Sequence, residues 1–226
     1  MLRQFSSLWL FLLLSIRARA QSQPPAPTTG DAAVVTFTLD FPASQPEHYS
    51  IHISSVGSSH YESSGRLSTD SDDTDSFEFD FPLSAETRSH IFALAQQSGY
   101  FQKDLDSHKK NLAFTGKKVL SYKDASRSGE STYNYSLIPA VQELTNLLQS
   151  LSSTLEFGHR LDYYLRYQKL ALDRELKRME EMARGHTLIE VTAVEPILQK
   201  IIADPAVINV TRSRAQRLLE APSGKQ

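Results

Sequence analysis

Three histidines stand where imidazole chemistry is conceivable. His48 and His52 share one face of a segment of period-two alternation, whose other face is taken by Tyr49, Ile51 and Ile53. Val56 and Gly57 allow a turn and Tyr61 lies on the returning segment. A hairpin centred on Val56 then pairs Ile51 with Tyr61 on the apolar face and His52 with His60 on the opposite face. Imidazole suits zinc and copper, which makes His52 and His60 the candidate metal ligands. No further ligand is placed beside them by the sequence, and two exposed sheet histidines are the plainer reading of the same pattern. Asp70, Asp72, Asp73 and Asp75 have the composition of a calcium loop without its central glycine and closing glutamate, so a solvated acidic loop over residues 65–75 is expected.

Other reactive constellations are missing. The chain contains no cysteine, which removes disulfides, thiolate metal sites and a cysteine nucleophile. It contains no nucleophile elbow, phosphate loop or HExxH sequence, and no cofactor is implied. The most distinctive remaining group is Arg160, Tyr163, Tyr164, Arg166 and Tyr167. Tyrosine and arginine supply large area and directional donors at binding hot spots. Tyr164 falls on an apolar stripe with Leu161 and Leu165, leaving Arg160, Tyr163, Arg166 and Tyr167 as the candidate partner-binding residues. Packing with an exposed basic edge is the alternative. Asp162 and Arg166, four apart, and His159 with Asp162 read as a solvated helix face.

These residues are carried by a helical pattern over residues 136–185. Val141, Leu144, Leu147, Leu148, Leu151 and Leu155 step by threes and fours. Ser152, Ser153 and Thr154 interrupt the stripe, and Ser153 with Glu156 has the form of a capping box, so two helices or one bent helix are expected. The second pattern runs to Gly185, a residue type that readily takes the left-handed conformation past a helix end. Residues 154–184 as one helix would span about 45 Å, a spine between subdomains or half of a coiled coil. Gly158 weakens its first turn by about 1 kcal/mol relative to alanine.

Upstream, residues 1–20 have a basic start, an apolar run from Leu8 to Ile16 and small residues at Ala18 and Ala20. This is the pattern of a signal peptide cleaved after Ala20, too short in its apolar run to remain as a membrane span. Residues 21–32 then read as a disordered tether. The whole chain holds 24 basic and 26 acidic side chains; without the three arginines of the leader the balance is 21 against 26, which argues against nucleic acid as the main partner. Strands are expected at Val35 to Phe41, Tyr49 to Ile53, around Tyr61 and at Phe77 to Phe81, with further extended segments at Leu112 to Thr115, Lys118 to Lys123 and Ser131 to Ser136. Ser84 caps a helix that carries Ile91, Leu94 and Ala95 and ends at Gly99. After Gly185, helices are expected from near Glu195 and from an Asp204–Pro205 start to about Glu220.

The Tyr-Ser-Ile strand at residues 49–53, Gly57, Tyr61, the helix entry at residues 81–84, Ile91, Leu94, Tyr100 and Phe101 resemble a bacterial secreted domain family of unknown function. The resemblance covers residues 34–151 and implies a fold and an export route but no activity; the cysteine pair that members often carry ahead of the Tyr strand is absent here. The sequence thus reads as an α+β protein: an antiparallel sheet domain with one central helix over residues 33–152, then a long helix and a small helical subdomain over residues 153–226. The function expected is that of an exported, non-enzymatic protein that binds a protein or envelope component, or a second copy of itself, through the helix 154–184. The alternative is a hydrolase or metal-dependent enzyme with its site near His52 and His60.

Overall fold

Period-two alternation builds six strands. The computed structural model, which describes residues 32–42, 44–66 and 74–220, places β1 at Val34–Asp40, β2 at His48–Ser54, β3 at Ser59–Arg66, β4 at Thr74–Phe81, β5 at Lys117–Lys123 and β6 at Ser128–Tyr133. They pair antiparallel in the order β4-β3-β2-β1-β5-β6. The fold is α+β, as the sequence pattern implies. The proposed leader and tether up to residue 31, and Asp70, Asp72 and Asp73 of the acidic segment, lie outside the described residues. Gly65 and Asp75 are not loop residues but face each other as the strand pair at one end of β3 and β4. Leu112 to Thr115 is irregular rather than extended. Among the described residues no helix is long and apolar enough to cross a membrane.

One face of the sheet is apolar. Val35, Phe37, Ile51, Ile53, Tyr61, Phe81, Leu120, Tyr122 and Tyr133 are buried there. Strand parity also puts Lys118 on this side, where its ammonium donates to the carbonyls of Thr115, Gly116 and Asn134 and to Thr115 Oγ1; burial lowers its pKa. The other face is polar, with Thr36, Thr38, Ser50, His52, Glu62 and Ser121 at the outward positions. Helix α1, Ala85–Gln97, packs Ile91, Leu94 and Ala95 into the core, and its N-cap Ser84 accepts from the Thr87 amide.

Helix α2, Pro139–Tyr167, is the main cover of the sheet. Val141, Leu144, Leu148, Leu151 and Leu155 are buried along it. The interruption expected at residues 152–154 does not occur. Ser153 donates to the Gln149 carbonyl four residues back, and Thr154 shares its one hydroxyl proton between the Ser150 carbonyl at 3.2 Å and the closer Ile189 carbonyl, so neither hydroxyl caps a new helix, and the leucine stripe continues through them. The break falls at Gln168 (φ −145°, ψ 59°), followed by a 3-10 turn at Lys169–Ala171 and helix α3, Leu172–Arg184. The single spine expected over residues 154–184 is therefore two helices, and the continuous one is the 29-residue α2, about 43 Å long. Gly185 keeps a negative φ while His186 takes the left-handed conformation (φ 55°). A 3-10 turn at Val191–Val194 leads into α4, Glu195–Ala203, with Pro196 in its first turn. Asp204 closes a turn by accepting from the Ala206 amide; α5 starts later than expected and spans Asn209–Glu220.

The C-terminal helices join the same buried cluster as the sheet. The segment ahead of α4 supplies three of the contacts that fix them. Thr154 Oγ1 donates to the Ile189 carbonyl at 2.7 Å. The Glu190 carboxylate accepts from the Ser84 hydroxyl at 2.6 Å and the Thr87 hydroxyl at 2.5 Å at the start of α1, where a negative charge is favoured. Val194 lies against Gly158, so closely that a Cβ there would stand 2.5 Å from Val194 Cγ1. Gly158 thus gives up helix propensity to admit the neighbouring element. Gly158→Ala should gain up to about 1 kcal/mol of propensity and lose about 1–3 kcal/mol to overpacking, for a net destabilisation in urea unfolding. Adding Val194→Ala should shrink the penalty of the glycine substitution, so the two changes should be non-additive.

Candidate functional site

The hairpin histidines meet as their spacing predicts. His52 is opposite His60 in the β2–β3 register, with ring centroids 6.1 Å apart and planes at 40°. Each ring is already engaged. His52 Nδ1 lies 3.1 Å from Thr36 Oγ1, and its Nε2 lies 3.0 Å from Ser50 Oγ and 3.8 Å from Glu62 Oε1. His60 Nδ1 lies 2.7 Å from Asp80 Oδ1, and His48 Nδ1 lies 2.5 Å from Asp40 Oδ1. The outward face thus carries three histidine–carboxylate pairs spread over four strands. Among the described residues no three His, Asp or Glu side chains are gathered to hold a metal ion. The two best-formed depressions are shallow, about 400 and 320 Å³; the first is bordered by Ser58, Asp80 and Arg88 and the second by His108, Phe114 and Lys117, and neither includes His52 or His60.

The Arg/Tyr group divides. Arg160 turns inward, its Nε donating to Glu175 Oε1 at 2.6 Å, and its guanidinium lies 4.6 Å from the centre of the Phe157 ring, so it ties α2 to α3. Arg166 pairs with Asp162 one turn back at 2.5 Å. Tyr163 and Tyr167 project from the end of α2 with rings 5.2 Å apart. They are 42% and 70% exposed, and Leu170 in the following turn is 90% exposed. Leu170 is the member that sequence spacing leaves out, because the chain departs from the helix at Gln168.

The strongest electrostatic feature lies elsewhere, at the contact between α2 and the sheet. Glu156 is 8% exposed. Its Oε1 accepts from the Tyr61 hydroxyl at 2.8 Å and from Ser63 Oγ at 2.7 Å, while Ser152 Oγ lies 3.0 Å from the same phenol. Its Oε2 is 3.8 Å from His159 Nδ1. His159 in turn presents Nε2 to Asp75 Oδ2 at 3.1 Å and stacks on Phe77 with ring centroids 4.2 Å apart. Burial pushes the Glu156 carboxyl up, but His159, Ser63 and Tyr61 together outweigh it, and the net direction is down. Burial raises the Tyr61 phenol well above its ordinary value, so it stays a donor. The arrangement holds a carboxylate within the packed contact between α2 and the sheet.

Comparison with protein-family models, with curated proteins and with solved structures finds no match for this chain.

Two measurements probe these sites. The folded Glu156 holds its proton less tightly than the unfolded one, so its contribution to stability is present above the ordinary glutamate range near pH 4.5 and is lost as the pH falls through the lower folded value. Glu156→Gln should cost about 1–3 kcal/mol at pH 7 and should flatten the acid limb of a stability-against-pH curve; an unchanged limb would assign that limb to other carboxylates. In zinc titration by calorimetry, the wild type and a His52→Ala/His60→Ala variant should behave alike, and uptake lost only in the variant would restore the metal reading.

Proposed function

We propose that the chain is an exported, non-enzymatic binding protein that engages another protein through the exposed end of α2. The observation that carries this reading is the cluster of Tyr163, Tyr167 and Leu170, apolar side chains left in solvent at the tip of a helix whose other large apolar residues are packed. Arg166 stands beside them and remains largely exposed. Aromatic and arginine side chains grouped on a protruding element are the composition of a binding hot spot. The basic start, the apolar run and the small residues of the leader support export. The engagement of the His52 and His60 ring nitrogens with hydroxyls and carboxylates favours binding over catalysis.

A photo-crosslinking amino acid placed at Tyr167 in the producing cells should give one discrete adduct, absent when the same group is placed at Ser121 on the open sheet face. Tyr163→Ala combined with Leu170→Ala should abolish that adduct while leaving thermal unfolding within about 0.5 kcal/mol of wild type, as expected for exposed positions. Identical adducts from both positions, or none from Tyr167, would overturn the reading.

A further inference from the structure

We infer that β4 is a docking edge for an extended peptide of alternating basic and apolar residues. β4 is the last strand of the sheet, bonded to β3 alone. Its pairing with β3 is unbroken over eight residue pairs, with neither a bulge nor a proline. Its outer backbone groups make no backbone bond to another described element. A regular edge of this length is a template for strand addition.

The two sides of the edge specify what is added. On the inner side Phe77 and Phe79 are only half-buried and lie 5.9 Å apart, nearly parallel, with His159 stacked on Phe77. They form an apolar shelf beyond which the sheet stops. On the outer side stand Glu78 and Asp80, and Glu78 is placed directly opposite Glu62 on β3. Like charges at directly opposed positions of a strand pair are unfavourable, and a cationic side chain on a strand added beyond β4 stands opposite Glu78, on the side away from Glu62, where it offsets the excess negative charge. Thr74–Phe81 contains three carboxylates and no lysine or arginine. A strand laid along β4 therefore places alternate residues over the phenylalanine shelf and the intervening ones against Glu78 and Asp80, the first set apolar and the second basic. Pairing of β4 with the β4 of a second copy sets these carboxylates against their own kind, so the charge that admits a basic strand also refuses self-association.

The test uses the purified protein and a blocked eight-residue peptide of alternating lysine and valine, with a glutamate–valine peptide as control. The lysine peptide should bind and the glutamate peptide should not. On binding, every second amide of residues 74–81 should gain protection from hydrogen exchange, a period-two signature that diffuse charge attraction does not produce. Glu78→Lys combined with Asp80→Lys should weaken the lysine peptide at least tenfold and admit the glutamate peptide. The Glu78→Lys variant alone should also weaken the lysine peptide yet melt no lower than wild type, because it removes the repulsion with Glu62, so its lost binding is not lost folding. No binding of the lysine peptide at millimolar concentration, binding without the alternate protection, or binding indifferent to the two reversals would overturn the inference.

Discussion

Helix α2 has to be buried on two sides at once, and the rest of the molecule follows from how it manages this. Its leucines lie on the apolar face of the sheet, while Thr154, Phe157, Gly158 and Leu161 are covered as well. A helix that merely caps a sheet needs one apolar stripe. This one carries a second contact surface built from a glycine and a hydroxyl, and both are required by shape. Val194 reaches the helix backbone only because position 158 lacks a side chain, and the Ile189 carbonyl is satisfied by a hydroxyl from the helix itself. The C-terminal helices are consequently a second layer on α2 and share its core.

Apolar burial alone leaves a helix free to slide along a sheet, because it is non-directional. Glu156 removes that freedom. A buried carboxylate without its donors is strongly unfavourable, so α2 must sit where the Tyr61 phenol and the Ser63 hydroxyl both reach the same oxygen. The Glu190 carboxylate does the same for the second layer by accepting from hydroxyls at the start of α1. Two acidic side chains thus set the register of elements whose hydrophobic faces would tolerate several.

The sheet and its hairpin were legible in the sequence because strand periodicity is a local property. Alternation around residues 49–53 and 61, with a turn between, is sufficient to pair Ile51 with Tyr61 and His52 with His60. The burial of Lys118 was not read from the sequence: it shares parity with Leu120 and Tyr122, but a lysine invites the opposite assignment. The α2 boundary was not legible. Ser152, Ser153 and Thr154 have the same composition whether they cap a helix or bond back into one, and the choice rests on partners such as Tyr61 and Ile189 that are remote in sequence. Gln168, where the helix does end, is not a turn residue by type. The Glu156 network was hidden for the same reason: Glu156, Tyr61, Ser63 and Asp75 come from three elements, and a glutamate within a helical pattern reads as solvated.

The distribution of polar residues over the sheet limits where anything can be recognised. On the outward face each histidine meets a carboxylate, at 2.5 Å for His48, 2.7 Å for His60 and 3.8 Å for His52, and hydroxyls fill the positions between them. Such a face offers a partner little apolar area, and its polar groups would exchange existing bonds for new ones with small net gain. Among the described residues, surfaces open to a partner lie at the margins instead. The end of α2 leaves aromatic and aliphatic side chains in water, and the β4 edge leaves backbone groups and the exposed Glu78 carboxylate. Because the core holds α2 and the sheet in fixed register, Tyr163 and Tyr167 on α2 and the residues of β4 are presented by packed elements, so a partner docking on them would have less to order and the entropic cost of its association would be smaller.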